Sequence, residues 1–229
     1  MKAKDVLRYF KRKSSRPNWL DLRKVHPVSR TFGLDRGTPI DRYYIENFLK
    51  KESGHIQGTV LEIAESTYSR KFGQGVNRFE VLHTRSGKGV TLVGDLTRPD
   101  TLPAALADCF ICTQTFNFIY DLEPAVRGAW RLLKPGGVLL ATMAGISQIS
   151  RYDMDRWGDF WRFTTKSAQK LFSAQFGEDR VVVQSHGNVL SAIAFLEGIA
   201  VEEMTLDELD HQDEDYQLLL TVKAIKKAD

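Results

Sequence analysis

The sequence predicts an α/β protein built on a mostly parallel sheet, and two observations carry this prediction. Short, continuous apolar runs recur after residue 58, and helical or turn segments separate them. Continuous runs, unlike alternating ones, are typical of strands buried on both faces, as in parallel sheets covered by helices. The 229 residues, 42% of them hydrophobic, suffice for one substantial core.

The first predicted helix begins near residue 38. Thr38 suits the N-cap, Pro39 the first helical position, and Asp41 the acidic position of a capping box. One apolar stripe follows, consisting of Ile40, Tyr44, Ile45, Phe48 and Leu49. The stripe predicts packing on the sheet, whereas Arg42 and Tyr43 lie on another face and remain available to a ligand.

Five apolar runs predict strands over 59–63, 79–82, 90–95, 109–113 and 138–143. Seven residues separate Leu82 from Val90, fewer than a helical crossover needs, so a loop is expected there. A helix predicted over 123–133 leads into Lys134-Pro135-Gly136-Gly137, which stops the helix and turns the chain into the fifth strand. Two closing strands, 180–184 and 217–222, are expected around a helix over 189–199.

The two cysteines, Cys109 and Cys112, lie within the strand predicted over 109–113. Residues three apart in a strand point to opposite faces, so we interpret this pair as accidental rather than as a redox or metal site. Two cysteines in a chain of this length are typical of a reduced intracellular protein. No apolar run reaches the roughly 20 residues that a bilayer span needs. We therefore expect a cytoplasmic protein without a membrane span.

Charge is unevenly distributed along the chain. Residues 1–30 contain ten Lys or Arg against two Asp, whereas residues 197–215 contain nine acidic residues and no Lys or Arg. We interpret residues 1–36 as a basic N-terminal arm or helical extension and residues 37–229 as a single domain. The arm is suited to an acidic surface, a membrane or a polyanion, or to packing on its own domain. The net charge of +3 is too small for whole-molecule attraction to nucleic acid.

Polar residues follow several predicted strands at their carboxyl ends, where an open parallel sheet binds ligands. They are Glu62, His83, Asp95 and the stretch Thr113-Gln114-Thr115. A carboxylate at the lip of an apolar strand is either solvated or holds a donor-rich ligand. Ribose hydroxyls, an adenine amino group and an ammonium group are such donors.

Four ordered segments resemble the motifs of Rossmann-like, class I S-adenosylmethionine-dependent methyltransferases. They are Val60-Leu61-Glu62-Ile63, Val93-Gly94-Asp95-Leu96, residues 108–120, and residues 132–140 with their Leu-Lys-Pro-Gly-Gly turn. The resemblance spans roughly residues 37–185. It implies a mostly parallel sheet of about seven strands with helices on both faces and an antiparallel last strand. It also implies an enzyme that uses S-adenosylmethionine and releases S-adenosylhomocysteine.

The resemblance assigns cofactor roles by position. Glu62 would hold the methionine end of the cofactor, directly or through water. Asp95 would accept a hydrogen bond from the adenine amino group, with the backbone of Leu96 beside it. Thr113 and Gln114 would line the methionine moiety.

Two positions depart from the family pattern. The family usually has a glycine-rich turn after its first strand, whereas Ala64 stands there in this chain; its single methyl group still allows close approach by a cofactor. His83 replaces the usual Asp or Glu that grips both ribose hydroxyls, and a neutral imidazole makes only one such bond; the alternative is a surface loop residue. The first helix would close over the cofactor, with Tyr43 as an aromatic or hydroxyl contact near the sulfonium.

The acceptor is expected to bind at residues 147–164, after the fifth strand. This segment combines two Trp, one Tyr and two Phe with three Arg and three Asp. Aromatic platforms beside charged groups suit a polar ring such as a sugar, or an anionic small molecule. Its Trp-x-Arg-Phe-Thr-like stretch resembles a segment that borders the active site in many family members, so Trp157, Trp161 and Arg162 are the predicted substrate-binding residues. A packing loop is the alternative.

Three residues are candidates for a catalytic base. They are Asp159 in that segment, His186 at the end of a later strand, and Asp121 after Tyr120. A hydroxyl nucleophile needs a base, whereas an amine only needs to be neutral. The histidines are isolated, and no metal site is predicted.

The predicted function is O-methylation of a small polar acceptor, such as a sugar or a glycan or natural-product precursor. N-methylation of a small-molecule amine and a non-catalytic, methyltransferase-like binding module are the alternatives. The basic arm favours nucleic acid as a substrate, but no nucleobase-methylation signature accompanies it, so nucleic acid is not an expected partner. The sequence is compatible with an oligomer.

Overall fold

Seven strands form one sheet in the computed structural model, which describes residues 23–228. The strands are β1 (Gly58–Ile63), β2 (Val76–His83), β3 (Leu92–Val93), β4 (Ala107–Thr113), β5 (Leu133–Ala144), β6 (Val181–His186) and β7 (Leu219–Ile225). Their order is β3-β2-β1-β4-β5-β7-β6, and β7 is antiparallel to both of its neighbours. The pairs from β3 to β5 are parallel. The predicted mostly parallel sheet with an antiparallel last strand is confirmed.

Helices cover both faces of the sheet. They are α1 (Ile40–Lys51), α2 (Thr67–Phe72), α3 (Leu122–Leu132), α4 (Arg151–Met154), α5 (Thr165–Phe176), α6 (Val189–Glu197) and α7 (Leu206–Asp210). Helices α3 and α5 pack on the face that contains Phe110 and Cys112. Helices α1 and α6 pack on the face that contains Cys109 and Ile111. The two cysteines therefore point to opposite faces, as predicted, and both are buried, unpaired thiols.

The third strand is shorter than the sequence predicts. Of the run 90–95, only Leu92 and Val93 pair with β2, so the prediction of a full strand there is wrong. The chain between β2 and β3 forms no helix, which confirms the predicted loop. The early end of β3 releases Gly94 and Asp95 into a loop at the edge of the sheet where ligands are expected.

The helix predicted over 123–133 ends before residues 134–137, as expected, but these residues form no separate turn. Helix α3 ends at Leu132, and β5 begins at once, without a separate turn. Ala107 pairs with Leu133 and Cys109 with Val138, so residues 134–137 bulge out of the ladder. Gly136 has φ +77°, which glycine adopts readily.

The predicted capping box of the first helix is wrong. Helix α1 begins at Ile40, with Pro39 at the N-cap and no side-chain cap. The Thr38 hydroxyl and backbone N–H instead donate to the Glu202 carboxylate at 2.7 and 2.9 Å. Asp41 therefore does not form the capping box with Thr38 that its spacing suggests.

Part of the predicted N-terminal arm contacts the main body of the protein. Residues 1–22 of the proposed arm 1–36 lie outside the described residues. The backbone N–H of Ser29 donates to the Glu197 carbonyl at 2.9 Å, and the Arg36 guanidinium pairs with Glu203. The ring of Phe32 packs on Phe195, with 5.7 Å between centroids. The described part of the arm thus lies against α6 and the acidic segment that follows it.

Membrane-spanning helices are absent from residues 23–228: no helix in that range combines the necessary length and apolar character.

Candidate functional site

Glu62 organises the loop that follows β1. Its side chain is buried, and its two carboxylate oxygens accept the backbone N–H groups of Tyr68 at 3.0 Å and Ser69 at 2.9 Å. Burial raises the pKa of Glu62, and these hydrogen bonds oppose the rise. Because both oxygens bind the start of α2, Glu62 shapes the intervening loop.

Ala64, the first residue of that loop, has the backbone conformation of a glycine. Its φ is +65°, in the left-handed region that an alanine seldom occupies. Its N–H donates to the Leu82 carbonyl at 3.0 Å, which fixes this conformation, and the residue is exposed. The turn therefore keeps the glycine-type geometry that its sequence lacks, and the backbone remains open to close approach.

His83 and Asp95 lie together at the ends of β2 and β3. The N–H of Gly94 donates to the His83 carbonyl at 3.0 Å. His83 Nδ1 accepts the N–H of Arg85 at 3.0 Å, so the proton of the neutral ring is on Nε2, which can donate. Asp95 Oδ1 accepts from the backbone and the hydroxyl of Thr97 at 2.9 and 2.8 Å.

The chain after Asp95 is held against α3. Leu96 is buried, and its carbonyl oxygen lies so close to Gly128 that a Cβ on Gly128 would be 2.2 Å from it. This close approach requires glycine at position 128. The packing holds the Leu96 backbone, next to Asp95, against the helix that follows β4.

Thr113 and Gln114 mark the end of β4, next to β1. Gln114 has φ +45°, and its N–H donates to the Thr142 carbonyl at 2.9 Å. Thr113 and Gln114 are both partly buried. The structure thus brings six predicted cofactor residues, Glu62, Ala64, His83, Asp95, Thr113 and Gln114, to the same edge of the sheet.

A cleft of about 180 Å³ lies beyond Gln114, between α1 and the segment after β5. Its polar walls are Asp41, Gln114, Asn117, Ser147, Gln148, Ser150, Asp153, Asp159 and Arg162, and its apolar walls are Phe32, Phe118, Ala144 and Phe195. Predicted cofactor and acceptor residues therefore meet in one cavity.

Asp41 and Asn117 are site residues that the sequence interpretation missed. Asp41 is partly buried, and burial raises its pKa to about 6. Gln114 Nε2 lies 3.5 Å from an Asp41 oxygen. Asn117 is 3% exposed, and its Oδ1 has no hydrogen-bond partner among the described residues. In the sequence, the position of Asn117 shortly after β4 is the feature that points to the site. The spacing of Asp41 from Thr38 points to a capping role instead.

Tyr43 does not line this cleft. Its hydroxyl donates to an Asp210 oxygen at 2.6 Å, on α7. Burial and this carboxylate raise the pKa of Tyr43. The Tyr43 hydroxyl is therefore engaged by Asp210, and its contact with a cofactor stays a prediction; Asp41, on the same helix, lines the cleft.

An ion pair fixes the segment after β5. Arg162 donates to both oxygens of Asp159, at 2.5 and 2.9 Å, and the N–H of Ser150 donates to Asp159 at 2.9 Å. The Arg162 guanidinium also donates to the Gln148 carbonyl at 2.6 Å. Asp159 and Arg162 thus tie both ends of the segment together across the cleft.

The two predicted tryptophans differ in their surroundings. Trp161 donates from Nε1 to the Ile119 carbonyl at 3.0 Å and stacks on Tyr120. Trp157 is 51% exposed and lies edge-on to Tyr152. Trp161 therefore supports the cleft, whereas Trp157 presents its ring to solvent.

None of the three candidate bases combines a free acceptor atom with a place in the cleft. Asp159 lines the cleft, but Arg162 binds both of its oxygens. His186 lies outside it, stacked on Tyr44 and 3.1 Å from the Thr221 hydroxyl, and burial lowers its pKa to about 4. Asp121 is exposed at the start of α3. Within residues 23–228 no cluster of three or more His, Cys, Asp or Glu side chains could hold a metal ion.

Comparison with known proteins agrees with this geometry. The methyltransferase-domain family model matches residues 58–141, which run from β1 into β5. No curated protein matches the chain.

Solved structures with a similar fold include enzymes and complexes of several kinds. The [4+2]-cyclase SpnF is similar at a TM-score of 0.55 and 12% identity, over 90% of this chain and 88% of that one. An S-adenosylmethionine-dependent methyltransferase from Archaeoglobus fulgidus is similar at 0.52 and 11% identity, over 81% and 94%. A complex of the Haloferax volcanii Trm112 methyltransferase activator with its methyltransferase partner is similar at a TM-score of 0.51 and 18% identity, over 81% of this chain and 91% of that one. At these identities the likeness shows the fold alone.

Proposed function

Because the methyltransferase-domain family model matches residues 58–141, we propose that the chain is a class I S-adenosylmethionine-dependent methyltransferase and that it methylates a hydroxyl group of a small polar acceptor such as a sugar. The observation that carries the proposal is the cleft that joins Gln114, at the end of β4, to Arg162, in the segment after β5. A methyl-transfer site needs such a junction, since donor and acceptor must meet in line. When bound, the cofactor supplies an electrophilic methyl group on a sulfonium.

The residues at the strand ends fit the chemistry of this cofactor. Asp95 is an acceptor suited to the adenine amino group, and His83 Nε2–H is a donor suited to one ribose hydroxyl. The left-handed turn at Ala64 leaves its backbone exposed for close approach. Glu62 contributes through the loop that it orients. The departures at Ala64 and His83 are therefore compatible with cofactor binding.

The acceptor side supports a polar ring as substrate. Tyr120, Tyr152, Trp157 and Phe160 each expose 45% or more of their surface near the segment after β5. Such aromatic faces suit the C–H faces of a sugar, and polar groups in the cleft suit its hydroxyls. We propose that Trp157 contacts the acceptor, and that Trp161 and Arg162 position it by holding the segment.

N-methylation of a small amine is the second candidate. Asp153 lines the cleft with its carboxylate near the Ser150 hydroxyl, at 2.5 Å, and forms no ion pair among the described residues. A carboxylate in that position favours a cationic acceptor. A neutral amine nucleophile would also need no base.

Ligand-induced stabilisation tests the cofactor half of the proposal. We expect S-adenosylmethionine and S-adenosylhomocysteine to raise the Tm of the protein, because each binds the native state. Asp95→Ala should abolish the shift, whereas Asp100→Ala, an exposed neighbour, should retain it. No shift at millimolar ligand would instead favour a non-catalytic binding module.

Transfer of a labelled methyl group tests the acceptor half. Incubation with methyl-labelled cofactor and panels of sugars, sugar nucleotides and small amines should label a hydroxylated acceptor. Trp157→Ala should reduce labelling and leave cofactor affinity unchanged. Labelling of amines alone would favour N-methylation. Loss of cofactor binding in Trp161→Ala would contradict the assignment of Trp161 to the acceptor side of the site.

We further propose that the reaction takes place in the cytoplasm as part of small-molecule biosynthesis. Both Cys109 and Cys112 are unpaired thiols, as is usual in reducing compartments. Among the described residues, the cleft has three carboxylates and one guanidinium, that of Arg162, which Asp159 neutralises. This charge pattern supports a small-molecule acceptor over a nucleic acid.

A further inference from the structure

Asp41 lies where the two halves of the site meet. It lines the cleft together with Gln114, from the predicted cofactor side, and with Arg162, from the acceptor side. Its carboxylate forms no ion pair among the described residues; it accepts the backbone N–H of Arg42, and Gln114 Nε2 lies 3.5 Å from one of its oxygens. In the lining of the same cleft, the buried Oδ1 of Asn117 has no hydrogen-bond partner within residues 23–228. This part of the cleft therefore offers acceptor atoms without a matching cation.

Three carboxylates line the cleft, and Asp41 is the one that has no ion pair, unlike Asp159, and lies next to Gln114 on the predicted cofactor side, unlike Asp153. On its own helix, Arg42 is exposed to solvent and weakly favours the ionised form. On α2, burial raises the pKa of Tyr68 to about 12, so that phenol is neutral. In the segment after β5, Arg162 neutralises Asp159, and Asp153 is bonded to Ser150.

We propose that Asp41 recognises the positive charge of the cofactor's sulfonium, so that the site prefers S-adenosylmethionine to S-adenosylhomocysteine. The inference rests on the proposed function. The two ligands differ by one methyl group and by the single positive charge that it places on sulfur. A carboxylate at the junction of donor and acceptor attracts the charged donor and not the neutral product. Asp41 would thereby favour loading of the donor and release of the product.

The other acidic residues at this edge of the sheet, Glu62 and Asp95, do not line the cleft. Glu62 binds the two N–H groups at the start of α2. Asp95 lies beyond β3, at the opposite end of the site from the cleft, and does not line it. The Tyr43 hydroxyl is engaged by Asp210. Recognition of the sulfonium by charge rather than by an aromatic face follows from this arrangement.

Calorimetric titration with three ligands tests the proposal without an acceptor. The ligands are S-adenosylmethionine, S-adenosylhomocysteine and sinefungin, in which a carbon atom that bears an amino group replaces the methylated sulfur. In Asp41→Asn we expect the preference for the two cationic ligands over S-adenosylhomocysteine to fall about tenfold, as expected for a partly screened charge pair. Affinity for S-adenosylhomocysteine itself should stay within about twofold of the wild type.

Asp153→Asn is the matched control, because it removes a second carboxylate from the same cleft. It should leave the preference unchanged. An equal loss of preference in both variants, or an equal loss of affinity for all three ligands in Asp41→Asn, would overturn the proposal. Absence of binding by the wild type would instead refute the proposed function.

A pH series on the wild type provides the same test without substitution. Asp41 must be ionised to attract the sulfonium, and burial raises its pKa to about 6 in the free protein. The preference should therefore be largest near pH 7.5 and should decline as the pH falls to about 5, where Asp41 gains a proton. A preference that is constant over this range, or that declines equally in Asp41→Asn, contradicts the assignment.

Discussion

The Glu62 carboxylate accepts the backbone N–H of Ser69 at 2.9 Å, which joins the end of β1 to the first turn of α2. The second oxygen binds the N–H of Tyr68. These N–H groups belong to the start of a helix and have no partner within it. A buried carboxylate therefore sets the path of residues 64–66, which include the predicted cofactor residue Ala64.

Glu62→Gln should weaken both the fold and ligand binding. The amide NH₂ of glutamine would replace one acceptor with a donor that faces a backbone N–H. We expect the free energy of unfolding to fall by about 1 to 3 kcal/mol and affinity for S-adenosylhomocysteine to fall with it, as measured by chemical denaturation and calorimetry. The exposed neighbour Glu65→Gln is the control and should leave both values unchanged.

The left-handed conformation of Ala64 predicts intolerance of branched side chains. Ala64→Val should lower the free energy of unfolding by about 1 to 2 kcal/mol, because a β-branched residue is strained at positive φ. It should also weaken S-adenosylhomocysteine binding. Ala105 has φ +53° in an exposed turn, so Ala105→Val should be similarly destabilising without changing affinity. Unchanged affinity in Ala64→Val would remove this turn from the binding site.

Gly128 links the packing of α3 to the Asp95 loop. Gly128→Ala would place a methyl group about 2.2 Å from the Leu96 carbonyl oxygen, so the loop or the helix must move. We expect a loss of about 1 to 3 kcal/mol in unfolding free energy, although the same change in an open helix is stabilising. Binding of S-adenosylhomocysteine should weaken as well. Gly54→Ala, where no atom lies within 4 Å of the added carbon, should be close to neutral.

We expect the buried His186 to lower the stability of the protein at acidic pH. Burial lowers its pKa to about 4 from an ordinary value near 6.5, so the unfolded chain binds this proton more readily than the native protein. Its contribution is thus fully present above pH 6.5 and is lost as the pH falls toward 4, by about 3 kcal/mol. Denaturation of the wild type and His186→Gln across this range should show a smaller loss in the variant. A bell-shaped activity profile that disappears in His186→Gln would support the base assignment instead.

Apolar patterning accounts for what the sequence predicts about the fold. The continuous runs around Val60, Phe110 and Leu139 identify strands buried on both faces, and all three are fully buried. The opposite orientation of Cys109 and Cys112 follows from the same period of two. The extent of β3 was harder to predict, because only Leu92 and Val93 pair with β2 although the predicted run begins at Val90.

The sequence by itself determined the sheet, the order of its motifs and the strand ends that carry Glu62, His83, Asp95 and Gln114, because apolar periodicity is a local property of the chain. The tertiary structure alone decided the partners of the polar side chains. Thr38 meets Glu202 across 164 residues, and Tyr43 meets Asp210 across 167. These contacts engage the Tyr43 hydroxyl with Asp210 and leave Asp41 in the cleft lining. No local pattern specifies which distant group a polar side chain will meet.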